Sequence, residues 1–174
     1  MQYKFFALIS RMRYIARWGL MRNTRPESLS EHSHETAVLA HALATIESEV
    51  FGGDADAGRA ASLALFHDST EVLTGDLPTP VKYYNTEMRE AYRKVENVAV
   101  LRLLGMLPEE LRPAYEPLLR EQGAEAAFVR AADKLSALIK CIEEQRMGNR
   151  DFARAEASLR RALGEMPLRS VGYF

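Results

Sequence analysis

The chain has one cysteine, Cys141, among 174 residues. That excludes an intrachain disulfide and a cysteine-rich zinc site, and it points to a reducing, cytoplasmic compartment. No apolar run reaches the ~18 residues of a membrane-spanning helix. The N-terminal stretch FFALI is too short for the core of a secretory signal. A glycine-rich phosphate loop, an HExxH pair and a G-x-S-x-G elbow are all missing, so nothing points to the chemistries those motifs carry. The net charge is −1, and no global field draws the protein to nucleic-acid polymers or anionic membranes. Any anion must be caught by a local site. One shortage is itself local: no acid precedes Glu27, whereas Lys4, Arg11, Arg13, Arg17, Arg22 and Arg25 do. A transit peptide, a solvated basic face, or arginines turned toward a phosphate would each account for it.

What is present is helical periodicity, with 47% hydrophobic and 27% charged residues, and a length that suits one domain over 1–174. Phe5, Leu8, Ile9, Met12, Ile15 and Ala16 keep one face of a first helix, expected to run to Arg17-Trp18 and stop at Gly19. Ser28-Leu29-Ser30-Glu31 reads as a capping box. It opens a second helix with Thr36, Leu39, Leu43 and Ile46 inward, which Gly52-Gly53 ends. Asp54 or Asp56 can cap a third helix carrying Ala60, Leu63, Ala64 and His67. LTGDLPTPV is loop by composition. Helices are further expected over roughly 84–105, over 126–145 with Phe128, Ala132, Leu135, Ile139 and Ile142 inward, and lastly over 151–163. Pro113 and Pro117 limit 109–120 to short or bent helix. With no alternating strand pattern, the fold class is all-α, a single-domain irregular helical bundle.

Within this pattern a few ionisable residues sit where apolar ones are expected. His32 falls on the leucine stripe of the second helix, a position where a hydrogen-bonded core histidine is the ordinary occupant. His34 is turned about 200° away and reads as a surface residue, and His41 reads as structural. His67 continues the stripe of the third helix, with Glu71 four residues on and so able to serve the same cavity. Asp68 lies about 100° round from His67. An acid at a helix C-terminus opposes the dipole, which favours a cation beside it. Asp133 lies on the flank of the last long helix, where a solvated aspartate or one paired with Arg130 is the usual case.

Three strings, RWGLMRNTRPESLSEHS, HDSTEVLTGDLPTPVKYYN and ADKLSALIKC, together resemble the bacterial 5'-deoxynucleotidases of the HD-domain phosphohydrolase superfamily. The resemblance covers nearly the whole chain, and GDLPTPVK is its most specific part. It implies that His32, His67, Asp68 and Asp133 hold one divalent cation. Two imidazoles and two carboxylates suit cobalt or manganese. It further implies Glu71 as proton carrier, Arg17 as phosphate partner, and Asp76 as a proton source for the leaving oxygen. Trp18 would pack against the sugar and exclude a 2'-hydroxyl. Asp76, Leu77, Pro78 and Thr79 would wall the nucleoside side, while His67 and Asp133 border the substrate. The implied reaction is metal-dependent hydrolysis of deoxyribonucleoside 5'-monophosphates by a homodimer. Two other readings remain open: an HD hydrolase of nucleoside triphosphates or alarmones, and a non-catalytic nucleotide-binding module.

Overall fold

The computed structural model describes residues 4–82 and 84–174. It is all-α. Among the described residues the only strand-like pairing is an isolated antiparallel bridge between Ala16 and Ser28. The centre is a three-helix sandwich of α2 (Leu29–Glu49), α3 (Ala57–Phe66) and α8 (Ala126–Arg146). Ala40, Ala44, Ala60, Ala64, Ala131 and Ala132 are buried there, and their small side chains let the three backbones approach closely. Leu39, Leu43, Leu63, Leu135 and Leu138 fill the remaining space. Burying such leucines contributes about 1.5–3 kcal/mol each.

The caps behave as their sequences dictate. Ser28 Oγ accepts from Glu31 N at 3.2 Å while Glu31 Oε2 accepts from Ser28 N at 2.8 Å, a complete capping box that fixes the first turn of α2. Of the two candidate caps of α3, Asp56 is the one used. Asn85 caps α6 (Thr86–Leu104), which carries Val100, Leu103 and Leu104 into a second core with Phe5, Leu107 and Leu119. α7 (Arg112–Leu119) is short, with Pro113 in its first turn and Pro117 inside.

Several expectations need correction. The first helix does not reach Trp18: α1 (Phe5–Ile9) tightens into a 3-10 turn over Ser10–Tyr14 and Ile15 is extended. The chain there pairs with the segment before α2, Leu29 N donating to Ile15 O at 2.8 Å and Arg17 N to Glu27 O at 3.0 Å. This tertiary pairing overrides the local 3.6-residue pattern. The stretch 73–81 is not all loop either. Glu71–Thr74 forms α4, and Thr79–Lys82 forms a single turn, α5, with Pro80 near its start, where a missing N–H costs nothing. Ile139, expected inward on α8, is 37% exposed, and Leu138 takes the core position. Nor is α9 (Ala153–Gly164) the last helix. A further turn, α10 (Arg169–Tyr173), docks on α2 through Arg169 Nη2 to Glu47 Oε1 at 2.7 Å and Ser170 N to Glu47 Oε2 at 3.2 Å. No described helix is long and apolar enough to cross a membrane.

Candidate metal centre

Three elements converge at one end of the sandwich: the first turn of α2, the turn that follows α3, and the middle of α8. α2 presents His32 and α8 presents Asp133, with His32 Nε2 3.2 Å from Asp133 Oδ1. The expectation of one helix running through His67 to Glu71 is not met. α3 ends at Phe66, and 67–70 form a turn leading into α4. In an unbroken helix His67 and Asp68 would diverge by about 100°. His67 keeps helical backbone angles, and the two side chains meet across the edge between them, with Asp68 Oδ2 3.1 Å from His67 Nε2 and 3.6 Å from His32 Nε2. Donor atoms of His32, His67 and Asp68 all lie within 4.8 Å of one another. Asp133 joins this group through His32.

The donor set fits a divalent cation. The His67 Nδ1 edge lies 2.7 Å from Ala64 O, so Nδ1 carries the proton and donates. That leaves the Nε2 lone pair facing a carboxylate, and Nε2 is buried without a hydrogen-bond partner. On the other ring, His32 Nδ1 meets Ser136 Oγ at 3.1 Å, which turns its Nε2 toward Asp68 and Asp133. Two acceptor nitrogens and the Asp68 carboxylate therefore aim at one spot, with Asp133 beside His32, an arrangement that needs positive charge in the middle. The carboxylate that faces His67 Nε2 also favours positive charge on the ring itself. Burial opposes charge on His67, but Asp68 outweighs it and pushes the imidazole up to about 10. His32 goes the other way, lowered chiefly by burial with Asp133 opposing, so it stays neutral as a ligand must. Burial disfavours ionisation of Asp68 and Asp133, yet the histidines hold both carboxyls below their ordinary range.

Glu71 lies beside this group and is 6% exposed, with Oε2 lacking any partner. Burial first, then the charges of Asp68 and Asp76, push its carboxyl up to about 9. A side chain that holds a proton near neutral pH next to a cation site suits general acid–base work. Asp76 is half-buried and its carboxyl is raised by burial, with Arg17 opposing. The backbone N–H of Trp18 near it also opposes the rise. Leu77 and Pro78 beside it are half-buried and Thr79 is exposed.

Arg17 reaches the centre from the 17–27 loop, its guanidinium 3.4 Å from Glu27 and 4.0 Å from Asp133. Trp18 sits at φ 62, a conformation that L side chains rarely adopt. It is held there by Nε1 donating to Glu27 Oε2 at 2.7 Å, by Met21 N donating to Trp18 O at 2.8 Å, and by its ring packing 5.1 Å from Phe152. Backbone strain held by so many contacts is characteristic of functional positions. His34 and His41 are exposed and take no part.

The sequence pattern did not point to the groups that hold this loop. Glu27 anchors both Arg17 and Trp18, and the only available signal was its place as the first acid after a basic stretch. Glu144 is fully buried and accepts from Thr24 N at 2.9 Å, Arg25 N at 3.1 Å and Asn149 Nδ2 at 2.7 Å, and from Lys140 Nζ. Its spacing four residues from Lys140 on an inward face was visible, but the loop partners were not. Removing one member of a buried charge pair costs about 3–5 kcal/mol. Glu144→Ala is therefore expected to lower unfolding stability by that order in urea titration and to loosen the 22–25 segment. A loss below about 1 kcal/mol would show that the loop is held otherwise.

Comparison with known proteins agrees with this geometry. Residues 4–174 match the family described as 5'-deoxynucleotidase YfbR-like. A 5'-deoxynucleotidase of Erwinia tasmaniensis is 49% identical over 98% of this chain and 87% of its own length. The 5'-deoxynucleotidase YfbR of Salmonella newport is 47% identical over 99% and 88%. Among solved structures, an HD-domain phosphohydrolase from Listeria innocua superposes with a TM-score of 0.87 at 26% identity, covering 98% of this chain and 84% of the other. The chain belongs to the YfbR-like 5'-deoxynucleotidase family of HD-domain phosphohydrolases.

Proposed function

We propose that the protein, acting as one HD-type domain over 1–174, hydrolyses deoxyribonucleoside 5'-monophosphates to deoxynucleosides and inorganic phosphate. The observation that carries this reading is the gathering of His32, His67 and Asp68 about one point, with Asp133 against His32 and with the proton-bearing Glu71 and Arg17 beside the group. The names of the relatives support the same substrate class. The ligand chemistry favours cobalt or manganese, and a cation bound there supplies positive charge against the phosphate oxygens and acidifies water.

The chain's own residues do the rest. Arg17 matches two phosphate oxygens with its planar fork and fixes the ester's orientation. Glu71, screened from bulk water, exchanges a proton with the attacking water. Asp76 offers a proton or hydrogen bond to the departing 5'-oxygen. Trp18 covers the sugar, and Leu77, Pro78 and Thr79 form the nucleoside wall, stiffened by proline. The substrate is met in the cytoplasm as a free nucleotide.

The test is phosphate release by protein stripped with chelator and reloaded with cobalt or manganese. Release from dAMP but not from AMP or dATP is the expected result. Turnover of dATP would move the protein to another HD phosphohydrolase class, and binding without turnover would make it a nucleotide-binding module. Trp18→Ala is expected to narrow the dAMP-over-AMP preference about tenfold or more, the scale of a lost steric exclusion. Equal turnover of AMP by the unaltered protein would remove Trp18 from that role.

A second copy of the chain is the proposed partner. Val95, Val98 and Leu101 stand 49%, 64% and 61% exposed on α6, facing away from the second core. Val98→Glu is expected to turn a dimer into a monomer in light scattering, while a monomeric unaltered protein would refute the assembly.

A further inference from the structure

A cavity of about 280 Å³ opens onto the centre from the side of α6 and α8. It touches His67, Asp68 and Asp133, but Arg17, Trp18 and Asp76 do not line it. This cavity therefore meets the centre away from the residues proposed to hold the sugar and the ester phosphate.

The cavity wall is rich in cations. Arg89 and Arg93 lie on one face of α6, and Arg130 and Lys134 on one face of α8. Lys82 is neutralised by Glu96 at 3.1 Å, whereas none of these four forms an ion pair among the described residues. Each helix therefore carries a like-charge pair at i,i+4 turned to the same space. Such pairs destabilise a helix unless an anion lies between them. The chain as a whole has a net charge of −1, so this concentration of positive charge is local. The acid on this wall that is neither ion-paired nor a candidate ligand is Glu121, held at φ 46 in the loop before α8. Its carboxyl is raised by burial, which weakens any opposition to an anion there.

We propose that Arg89, Arg93, Arg130 and Lys134 form a second phosphate subsite beside the metal centre, one that receives inorganic phosphate as it leaves. The proposal rests on the hydrolase reading above. Arg17 does not line this cavity, and its guanidinium is largely buried beside Glu27 and Asp133. The freed phosphate passes from Arg17 to the α6–α8 wall while the nucleoside departs past Trp18. Guanidinium groups on facing helices can take phosphate oxygens two at a time. The same chemistry would also accept the outer phosphates of a deoxynucleoside triphosphate, so the test separates the two sources.

Isothermal titration of inorganic phosphate into the metal-loaded protein reads the subsite directly. The Arg93→Gln/Arg130→Gln variant is expected to bind phosphate at least about fivefold more weakly, a loss that added salt diminishes in the unaltered protein. Arg93→Lys/Arg130→Lys is expected to restore much of the affinity and guards against a fold defect in the first variant. Unchanged phosphate affinity in both would overturn the subsite. In a parallel arm, inhibition of dAMP hydrolysis by inorganic phosphate and by dATP is compared between variant and parent. Weakened inhibition by phosphate supports the release route. Weakened inhibition by dATP alone would overturn that route and make the wall a site for longer phosphate chains. If dAMP is not hydrolysed at all, the hydrolase reading falls, yet the calorimetric comparison still decides whether the four cations bind phosphate.

Discussion

Glu71→Gln is expected to lower kcat for dAMP by about 10²- to 10⁴-fold, the range for losing a general acid–base group. The metal content should be unchanged, because Glu71 is not a ligand in this arrangement. Glutamine keeps the shape and the hydrogen bonds but carries no exchangeable proton of suitable pKa. A second consequence has the opposite sign. In the metal-free protein the folded carboxyl is raised to about 9 from 4.5. Between those values the unfolded chain releases a proton that the folded one keeps, so Glu71 costs stability as pH rises from about 5 to 9. Glutamine removes that cost. The variant should therefore melt at a higher temperature than the parent at pH 8, in chelator, while being nearly inactive. Undiminished kcat would take Glu71 out of the reaction, and a lower melting temperature would contradict its unpartnered burial.

Asp133→Ala is expected to abolish bound metal and, with it, activity. Asp133 contacts His32 Nε2 and is the carboxylate that α8 supplies to the centre. Its loss leaves two histidines and one carboxylate, which lowers both the ligand count and the negative charge available to a divalent ion. The helical circular dichroism should stay near that of the parent, because the side chain is partly exposed and contributes no core packing. Metal analysis after gel filtration decides the matter, and normal metal content would remove Asp133 from the ligand set.

Much of the frame could be read locally. Apolar stripes located α2, α3, α6 and α8, and the Ser28 and Asp56 caps follow from short-range hydrogen bonding alone. The capping box at Ser28 matters for the site, since it sets the turn from which His32 projects. What escaped was decided at long range. Ile15–Arg17 leaves its helical pattern because the backbone of 27–29 pairs with it, and nothing within 5–17 encodes that partner. Trp18 at positive φ is held by Glu27, nine residues on, and by Phe152 across the fold. Periodicity placed Asp68 about 100° round from His67 and could not reveal that the two side chains meet across the edge between them. Asp133 looked like an ordinary flank residue; only the resemblance singled it out, and its contact with His32 gives that choice a physical basis. α10 is too short to leave a periodic signal, and its docking depends on Glu47 of α2.

The three elements that meet at the centre are far apart along the chain, on α2, after α3 and on α8. No contiguous fragment brings them together, so tight cation uptake can begin only once the helical sandwich has closed. The ion is then a ligand of the finished fold and a reporter of its completion. At a free concentration of a hundred times Kd it adds about 2.7 kcal/mol to resistance against unfolding. Scarcity of that metal would silence the chemistry and thin this reserve together, leaving a chain that keeps its helices but opens more readily to proteases.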